Sequence, residues 1–196
     1  MIGVLVSGGV DSAVLLEMAS QAKLPAVGIY INWGQPAQWY EDTAAQNLCD
    51  YYGIERRVII GHHIMSAQMD IGAGSPGSRF VRGRNLAFLS MACTSNHEIK
   101  QIWIGCCRTD WNDYADCTPD FIARADSMFS LYGVQICAPL LQMDKEQIHS
   151  YAQKRDVPIG LAWSCYQADI DSKPCGKCNS CKSNDAKSWS SLGDGG

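Results

Sequence analysis

The sequence contains no long uninterrupted apolar run, and this absence excludes one class of proteins. No stretch approaches the roughly 20 apolar residues that a membrane-spanning helix needs. Met1 leads directly into the short apolar run Ile2-Gly3-Val4-Leu5-Val6, without the basic segment and longer apolar core of a secretory signal. We therefore expect a cytoplasmic protein with no membrane partner.

Positive charge is also in short supply. Lys and Arg number 16 against 20 Asp and Glu, which gives a net charge of −4. Binding to DNA or RNA depends on a basic surface that displaces counterions from the phosphates. The composition therefore predicts a small-molecule substrate and no nucleic-acid partner.

Cysteine, by contrast, is abundant, with ten residues. A cytoplasmic location disfavours a disulfide framework, so this abundance points to metal ligation. Six cysteines lie in apolar or mixed segments and are interpreted as small buried side chains: Cys49, Cys93, Cys106, Cys107, Cys117 and Cys137. The other four form a cluster, Cys165, Cys175, Cys178 and Cys181.

The clustered cysteines predict a closed metal site. Cys175, Cys178 and Cys181 follow a C-x2-C-x2-C spacing, and Cys165 supplies a fourth thiolate from an adjacent segment. Four thiolates suit tetrahedral, structural Zn²⁺. An iron–sulfur cluster is the main alternative, although the Cys-Pro pair of bacterial ferredoxin motifs does not follow here. The four histidines show no metal-ligand spacing.

The order of hydrophobic patterns predicts an α/β fold, with a parallel sheet covered by helices on both faces. Strands are expected at residues 2–6, 26–31, 57–60, 101–104 and 134–138, and helices at 11–22, 37–52, 84–96, 119–131 and 144–154. Between them, residues 61–83 form a glycine-rich loop of the kind that covers active sites. We expect an α/β domain at 1–163, a zinc-binding appendage at 164–187 and a flexible tail at 188–196.

A glycine-rich segment, Ser7-Gly8-Gly9-Val10-Asp11-Ser12, joins the first strand to the first helix. Two glycines let backbone N–H groups turn inwards to bind an anion, and the serine hydroxyls and the helix N-terminus add to this binding. The segment lacks the lysine of the common NTPase loop and does not follow G-x-G-x-x-G. The alternative to a phosphate-binding loop is a tight strand-to-helix turn with a serine or aspartate cap and no ligand.

The same segment resembles the loop of the PP-loop ATP pyrophosphatases, which cleave ATP between the α and β phosphates. The resemblance implies an adenine nucleotide alpha hydrolase-like fold. It also implies ATP binding by Val6, Ser7, Gly8, Gly9, Val10, Asp11 and Ser12. Asp11 is then expected to hold Mg²⁺ or to position the phosphates, because a carboxylate in a phosphate site usually acts through a metal.

Further segments carry a more specific pattern: Trp33-Gly34-Gln35, residues 80–85 (FVRGRN), residues 113–121 (DYADCTPDF), Pro139-Leu140 with Lys145, Cys165-Tyr166 and Pro174-Cys175-Gly176. In this order they resemble the QueC family of 7-cyano-7-deazaguanine synthases, from Gly3 to about Cys181. The resemblance implies that ATP adenylates the carboxylate of 7-carboxy-7-deazaguanine, that ammonia displaces AMP to form the amide, and that a second ATP activates this amide for dehydration to the nitrile. It also suggests a homodimer.

This chemistry requires cations near the leaving AMP and a flat pocket for a base. We expect the catalytic residues to be Ser7, Asp11, Ser12, Arg84 and Lys145. The expected substrate-binding residues are Trp33, Gln35, Phe80, Arg84, Asn85, Asp116 and Asp120, with Tyr166 as a further stacking candidate. Structural alternatives exist for several of them, since Asp116 and Asp120 also suit the first turn of a helix.

Two substitutions depart from the family pattern. Arg82 stands where the family usually has proline, and Trp33 replaces the more usual tyrosine. Both lie near the expected substrate pocket, so two other products stay possible. One is the amide, formed if the reaction stops after the first stage, and the other is a conjugate with another amine. The remaining alternatives are another PP-loop enzyme, such as a tRNA sulfurtransferase with a reactive cysteine, and a non-catalytic nucleotide sensor.

Overall fold

The computed structural model describes residues 1–61, 81–166, 174–176, 178, 180 and 181. In these ranges one parallel sheet is formed by β1 (Ile2–Leu5), β2 (Ala26–Asn32), β3 (Glu55–Ile60), β4 (Gln101–Trp103) and β5 (Gln135–Cys137). The order across the sheet is β3-β2-β1-β4-β5. The strand order therefore reverses at β1, and α/β sheets bind ligands at the carboxyl ends of strands beside such a reversal.

Helices cover both faces of the sheet, as the sequence predicts. They are α1 (Val10–Gln21), α2 (Gln38–Tyr51), α3 (Arg84–Ser95), α4 (Pro119–Phe129) and α5 (Lys145–Lys154). One buried cluster joins the sheet to α1, α2 and α5 and includes Leu15, Leu48 and Ile148. A second cluster on the opposite face joins it to α3 and α4 and includes Leu89 and Ile122.

The burial of each strand follows from its place in the sheet. All four residues of the central β1 are buried, as expected for a continuous apolar strand with helices on both sides. The edge strand β3 contains only exposed and half-buried residues. Gly28 in β2 is required by packing, because a Cβ there would lie 2.5 Å from the Cys49 sulfur of α2. Cys49 is thus one of the small buried side chains that the sequence predicts.

Local capping signals define where the last two helices begin. The Thr118 hydroxyl accepts a hydrogen bond from the Phe121 N–H at the start of α4. Asp144 caps α5 in a reciprocal pair with Gln147. Helix α4 is shorter than predicted, because residues 130–132 form a 3-10 turn.

Some predictions fall on parts of the chain without a description. Most of the expected loop at 61–83, including Phe80, His62 and His63, lies outside the described residues, and so does the expected tail at 188–196. The proposed domain boundaries remain predictions. Among the helices that the structure describes, none is both long and apolar enough to cross a membrane.

Candidate active site

A cavity of about 660 Å³ lies at the carboxyl ends of β1, β2 and β4, at the point where the strand order reverses. We distinguish two parts of its wall. The loop end comprises Ser7, Gly9, Asp11, Ser12, Asp110 and Lys145, and the aromatic end comprises Trp33, Gln35, Glu41, Arg84 and Phe88. A shallower depression of about 430 Å³ over β3 and α3 has no acidic side chain in its wall.

Gly8 gives the glycine-rich loop its shape. Its φ angle is +80°, in the left-handed region that favours glycine. A Cβ at this position would lie 2.6 Å from the Glu41 carbonyl oxygen, so α2 also packs against it too closely for any other residue. The Trp163 N–H donates a 2.7 Å hydrogen bond to the Gly8 carbonyl. Gly8 therefore turns the chain, while its neighbours line the cavity.

The two loop serines are held together beside the N-terminus of α1. The Ser12 hydroxyl accepts a 2.9 Å hydrogen bond from the Ser7 N–H, and the two hydroxyl oxygens are 3.0 Å apart. Gly9 caps α1 without a side-chain hydrogen bond, and it lines the cavity together with the first residues of the helix, Val10, Asp11 and Ser12. Hydroxyls and uncapped N–H groups together suit a phosphate.

Lys145 approaches the loop end from the first turn of α5. Its Nζ donates to Asp11 Oδ2 at 2.5 Å, and both side chains are about one-fifth exposed. Burial by itself lowers the pKa of Lys145, but the attraction of the Asp11 and Asp110 carboxylates outweighs burial, so the net shift is upward. Lys145 is therefore a cation at neutral pH, next to the predicted phosphate site.

Asp110 completes the loop end, and the sequence analysis did not include it. It ends the 3-10 turn Arg108–Asp110 that follows β4. Its Oδ2 accepts hydrogen bonds from the Cys107 N–H and Sγ, both at 3.2 Å. Ligand atoms of Asp11, Cys107 and Asp110 lie within 4.8 Å of one another. The available signal was an acid shortly after a strand, and it became informative only once β4 was known to pair with β1.

Two cysteines near this end are poor nucleophiles. Cys107 is fully buried, and burial raises its pKa to about 12. Cys106 is also buried, and its pKa is raised by its hydrogen bond with Cys117 and by burial. A nucleophilic cysteine must be a thiolate, and both environments disfavour that form. The prediction that these two cysteines are small buried side chains is therefore confirmed.

The aromatic end consists of stacked and hydrogen-bonded groups. The Arg84 guanidinium carbon lies 5.8 Å from the centre of the Trp33 ring, and the Phe88 ring is tilted against Trp33 with the two ring centres 6.4 Å apart. The buried Gln35 accepts from the Trp33 N–H at 3.1 Å. It donates through Nε2 to the Tyr30 hydroxyl at 3.1 Å and to Glu41 Oε2 at 2.6 Å.

Asn85 is anchored to the segment before α4. Its backbone N–H donates to Asp116 Oδ2 at 3.2 Å, and its side-chain amide donates to the Asp116 carbonyl at 2.9 Å. Asp116 is buried and is not part of the cavity wall. Asn85 does line the cavity, so these bonds fix the start of α3 at the site.

The predicted base-binding role of the two acids receives no support from their positions. Asp116 accepts hydrogen bonds from Asn85 and does not line the cavity. Asp120 is exposed and forms a 2.8 Å surface ion pair with Arg124, one turn along α4. Both acids lie at the start of a helical segment, where their structural interpretation applies. Phe80 cannot be placed, because it lies outside the described residues.

The four clustered cysteines lie together, as predicted. Their sulfur atoms are within 4.8 Å of one another, and Cys165 is fully buried. Cys165 Sγ accepts from the Cys175 N–H at 3.2 Å, and Cys178 Sγ accepts from the Cys181 N–H at 3.4 Å. Tetrahedral Zn²⁺ with bonds of about 2.3 Å requires sulfur atoms roughly 4 Å apart, so the group can hold such an ion.

The cysteine segment also forms part of the cavity. Trp163 stacks on Tyr40 of α2 with ring centres 4.4 Å apart, and its ring N–H donates to the Cys165 carbonyl at 2.8 Å. Ser164, Tyr166 and Ser180 contribute to the cavity wall. The cysteine cluster and the glycine-rich loop are thus connected through Trp163, whose backbone N–H binds the Gly8 carbonyl.

Solved structures share this fold at low sequence identity. The predicted subunit of a tRNA methyltransferase from Methanocaldococcus jannaschii matches with a TM-score of 0.60 and 20% identity, over 78% of this chain and 73% of that chain. NMN synthetase from Francisella tularensis matches with a TM-score of 0.54 and 19% identity, over 87% and 70% of the two chains. These similarities confirm the predicted fold class.

Sequence relatives are more informative about the family. A 7-cyano-7-deazaguanine synthase from Pseudomonas putida is 33% identical over 200 residues, covering 91% of this chain and 89% of the relative. A protein of the same name from Pseudomonas fluorescens is 34% identical, covering 91% of this chain and 86% of the relative. The family model described as queuosine biosynthesis protein QueC matches residues 2–190. With a match over nearly its whole length, the chain belongs to the QueC family of queuosine biosynthesis proteins.

Proposed function

We propose that the chain converts 7-carboxy-7-deazaguanine to 7-cyano-7-deazaguanine with ATP and ammonia. The observation that carries this proposal is a single cavity with two complementary ends. Its loop end offers hydroxyls, helix N–H groups and a lysine for the phosphates of ATP. Its aromatic end offers rings and hydrogen-bonding groups for a flat heterocycle.

The first stage replaces a poor leaving group by a good one. The substrate carboxylate attacks the α-phosphorus of ATP, which releases pyrophosphate and gives an acyl adenylate. Ammonia then attacks the acyl carbon, AMP leaves, and one proton is lost to form the amide. Lys145 stabilises the negative charge that develops on the phosphates, because it is a cation held beside the loop by Asp11.

The second stage repeats the activation on the amide. The amide oxygen attacks a second ATP at the α-phosphorus, and pyrophosphate is released again. Loss of AMP and of the nitrogen-bound protons then leaves the nitrile. Arg84 is our candidate for holding the activated group, since its guanidinium lies over Trp33 in the cavity wall. One set of side chains serves both stages, because both end with departure of AMP.

Mg²⁺ fits the acidic pair at the loop end. Asp11 and Asp110 place carboxylate oxygens close together, and Mg²⁺ prefers carboxylate oxygens and phosphates as ligands. When bound, the ion would neutralise phosphate charge. Cys107 belongs to the same group of atoms, but its thiol is protonated and bonded to Asp110, so we exclude it as a ligand.

Zn²⁺ fits the four cysteines in a structural role. Cys165, Cys175, Cys178 and Cys181 offer four ligands and leave no open position for a substrate. The ion would hold the segment that supplies Trp163, Ser164 and Tyr166 to the cavity. We further propose the homodimer that the family resemblance suggests, which light scattering of the purified protein would test.

Two alternatives differ in their support. A ligase that stops at the amide uses the same first stage, and the replacement of the usual tyrosine by Trp33 in the cavity wall is the change that favours it. A sulfurtransferase is disfavoured by the raised pKa of Cys106 and Cys107. A nucleotide sensor would bind ATP without releasing pyrophosphate.

Mass spectrometry of the products tests the proposal directly. The zinc-loaded protein is incubated with ATP, Mg²⁺, ammonium and 7-carboxy-7-deazaguanine, and pyrophosphate release is followed in parallel. We expect the nitrile and two pyrophosphates per product. The amide with one pyrophosphate would establish the shorter reaction instead. No product and no pyrophosphate would overturn the proposed activity.

A further inference from the structure

Glu41 is an acidic side chain in the cavity wall that neither the predictions nor the proposed mechanism uses. Four described acids line this cavity: Asp11, Glu41, Asp110 and Asp113. Asp11 and Asp110 belong to the loop end, and Asp113 is exposed to solvent. Glu41 alone belongs to the aromatic end, next to Gln35 and Arg84.

The position of the Glu41 carboxylate is fixed by its neighbours. Gln35 Nε2 donates to Oε2 at 2.6 Å. The Gln35 amide is itself held at both ends, because its oxygen accepts from the Trp33 N–H and its nitrogen also donates to the Tyr30 hydroxyl. This orientation leaves Gln35 as a donor to Glu41. A preorganised carboxylate of this kind has further lone pairs available for a ligand.

The surroundings of Glu41 favour a ligand that carries N–H groups. Burial raises the pKa of Glu41, while the Gln35 hydrogen bond and the Arg84 charge lower it. A carboxylate removed from bulk water is costly unless it accepts hydrogen bonds, so a donor-rich ligand gains more there than in an exposed site. Two parallel N–H donors match the two oxygens of a carboxylate.

We propose that Glu41 recognises the N1–H and the 2-amino group of the deazaguanine ring and is the residue that selects this base. This inference rests on the proposed function, since it names the group that binds its substrate. The base then lies at the aromatic end of the cavity, where Trp33 is part of the wall. Glu41 takes the role that the sequence analysis assigned to Asp116 and Asp120, which lie outside the cavity wall.

The decisive experiment compares two substrates on two enzymes. The substrates are 7-carboxy-7-deazaguanine and its analogue without the 2-amino group, and the enzymes are the wild type and Glu41→Gln. We expect the wild type to prefer the amino-bearing substrate about 100-fold in kcat/KM, as for one lost hydrogen bond to a charged group. In Glu41→Gln we expect this preference to fall below about tenfold, because a neutral amide cannot accept both N–H groups.

A second readout separates base recognition from a structural role. If Glu41→Gln only disturbs the structure around Gln35, kcat/KM falls equally for both substrates and the ratio of the two values stays unchanged. This outcome overturns the inference. An increased KM for ATP with an unchanged substrate ratio would place adenine against Glu41 and also overturn it. ATP binding measured by calorimetry is therefore expected to differ less than about twofold between the enzymes, which is a difference of under 0.5 kcal/mol.

Asp113→Asn is the matched control, because it neutralises the exposed acid in the same wall. We expect it to keep the wild-type preference for the amino-bearing substrate. If Asp113→Asn loses the preference and Glu41→Gln keeps it, Glu41 is not the selecting residue. Failure of the proposed function looks different, since the wild type then neither binds nor converts the amino-bearing substrate, and the inference falls with it.

Discussion

The two ends of the cavity differ in how the chain builds them. The loop end takes most of its groups from one continuous segment, Ser7 to Ser12, and adds Asp110 from the turn after β4 and Lys145 from the first turn of α5. The aromatic end collects Trp33 and Gln35 from the β2–α2 connection, Glu41 from α2, and Arg84 and Phe88 from α3. Binding of a phosphate needs backbone N–H groups that a short motif supplies, whereas recognition of a base needs side chains from several elements.

The two ends are expected to respond differently to substitution. At the loop end, the proposed phosphate binding depends on the backbone geometry of the loop and on one lysine, so single substitutions there should abolish activity. At the aromatic end, recognition is shared among stacked rings and several hydrogen bonds, so single changes should alter preference more than rate. The following predictions test this difference, beginning with the largest effect.

Lys145→Met is expected to reduce kcat/KM for pyrophosphate release by about 1000-fold, since it removes a preorganised cation from the phosphates. Asp11 would also lose its ion-pair partner. Lys154→Met is the control, because Lys154 is an exposed lysine at the opposite end of the same helix. A pyrophosphate release assay measures both variants. Equal losses in the two would remove Lys145 from the mechanism.

Gly8→Ala is expected to destabilise the protein by about 3 kcal/mol, combining a left-handed residue with a close contact. The matched control is Gly53→Ala, where φ is +63° and a Cβ would meet nothing within 4 Å. That variant should cost only about 1 kcal/mol, from backbone strain alone. Urea unfolding of both proteins gives the difference. If the two variants are equally stable, the contact between α2 and the loop does not constrain Gly8.

Metal removal is expected to weaken ATP binding about tenfold while most of the α/β domain stays folded. The reason is that Trp163 connects the Cys165 carbonyl to the Gly8 carbonyl through two hydrogen bonds. Loss of the hydrogen bond that orders the loop would cost about 1 kcal/mol. Calorimetry with ATP on chelator-treated protein measures this effect, and circular dichroism follows the fold. Unchanged ATP affinity in metal-free protein would show that the cysteine segment does not order the loop.

The difference in unfolding free energy between Glu41→Gln and the wild type is expected to depend on pH. Burial raises the folded-state pKa of Glu41 above the ordinary value of 4.5, so the stability associated with the protonated form is present below 4.5 and is lost as pH rises through the raised pKa. The amide does not titrate, so the variant should gain stability relative to the wild type over this interval. Urea unfolding across the acidic range measures the difference. A constant difference at all pH values would contradict it.

Much of the fold was predictable because its signals are local. The apolar run of β1 and the alternation of strands and helices depend on residues a few positions apart. The cysteine cluster was predictable for the same reason, since metal-ligand spacing is a short-range pattern. These predictions agree with the structure to within a few residues.

The less successful predictions concern residues whose direction depends on packing. Asp116 and Asp120 are four positions apart near the start of α4, yet one is buried against Asn85 and the other is exposed beside Arg124. Neither lies in the cavity wall. Motif context identified the correct region of the chain but not which side chains line the cavity, because that depends on how α4 lies against α3.

By itself, the sequence determined the alternation of strands and helices, the glycine-rich loop from Ser7 to Ser12, and the four-cysteine cluster. Each depends on interactions between residues close in the chain. Only the tertiary structure decided that β4 pairs with β1, which brings Asp110 beside Asp11, and that Gln35 holds Glu41 in the cavity. Strand order and helix packing result from long-range burial of apolar surface, which no local pattern specifies.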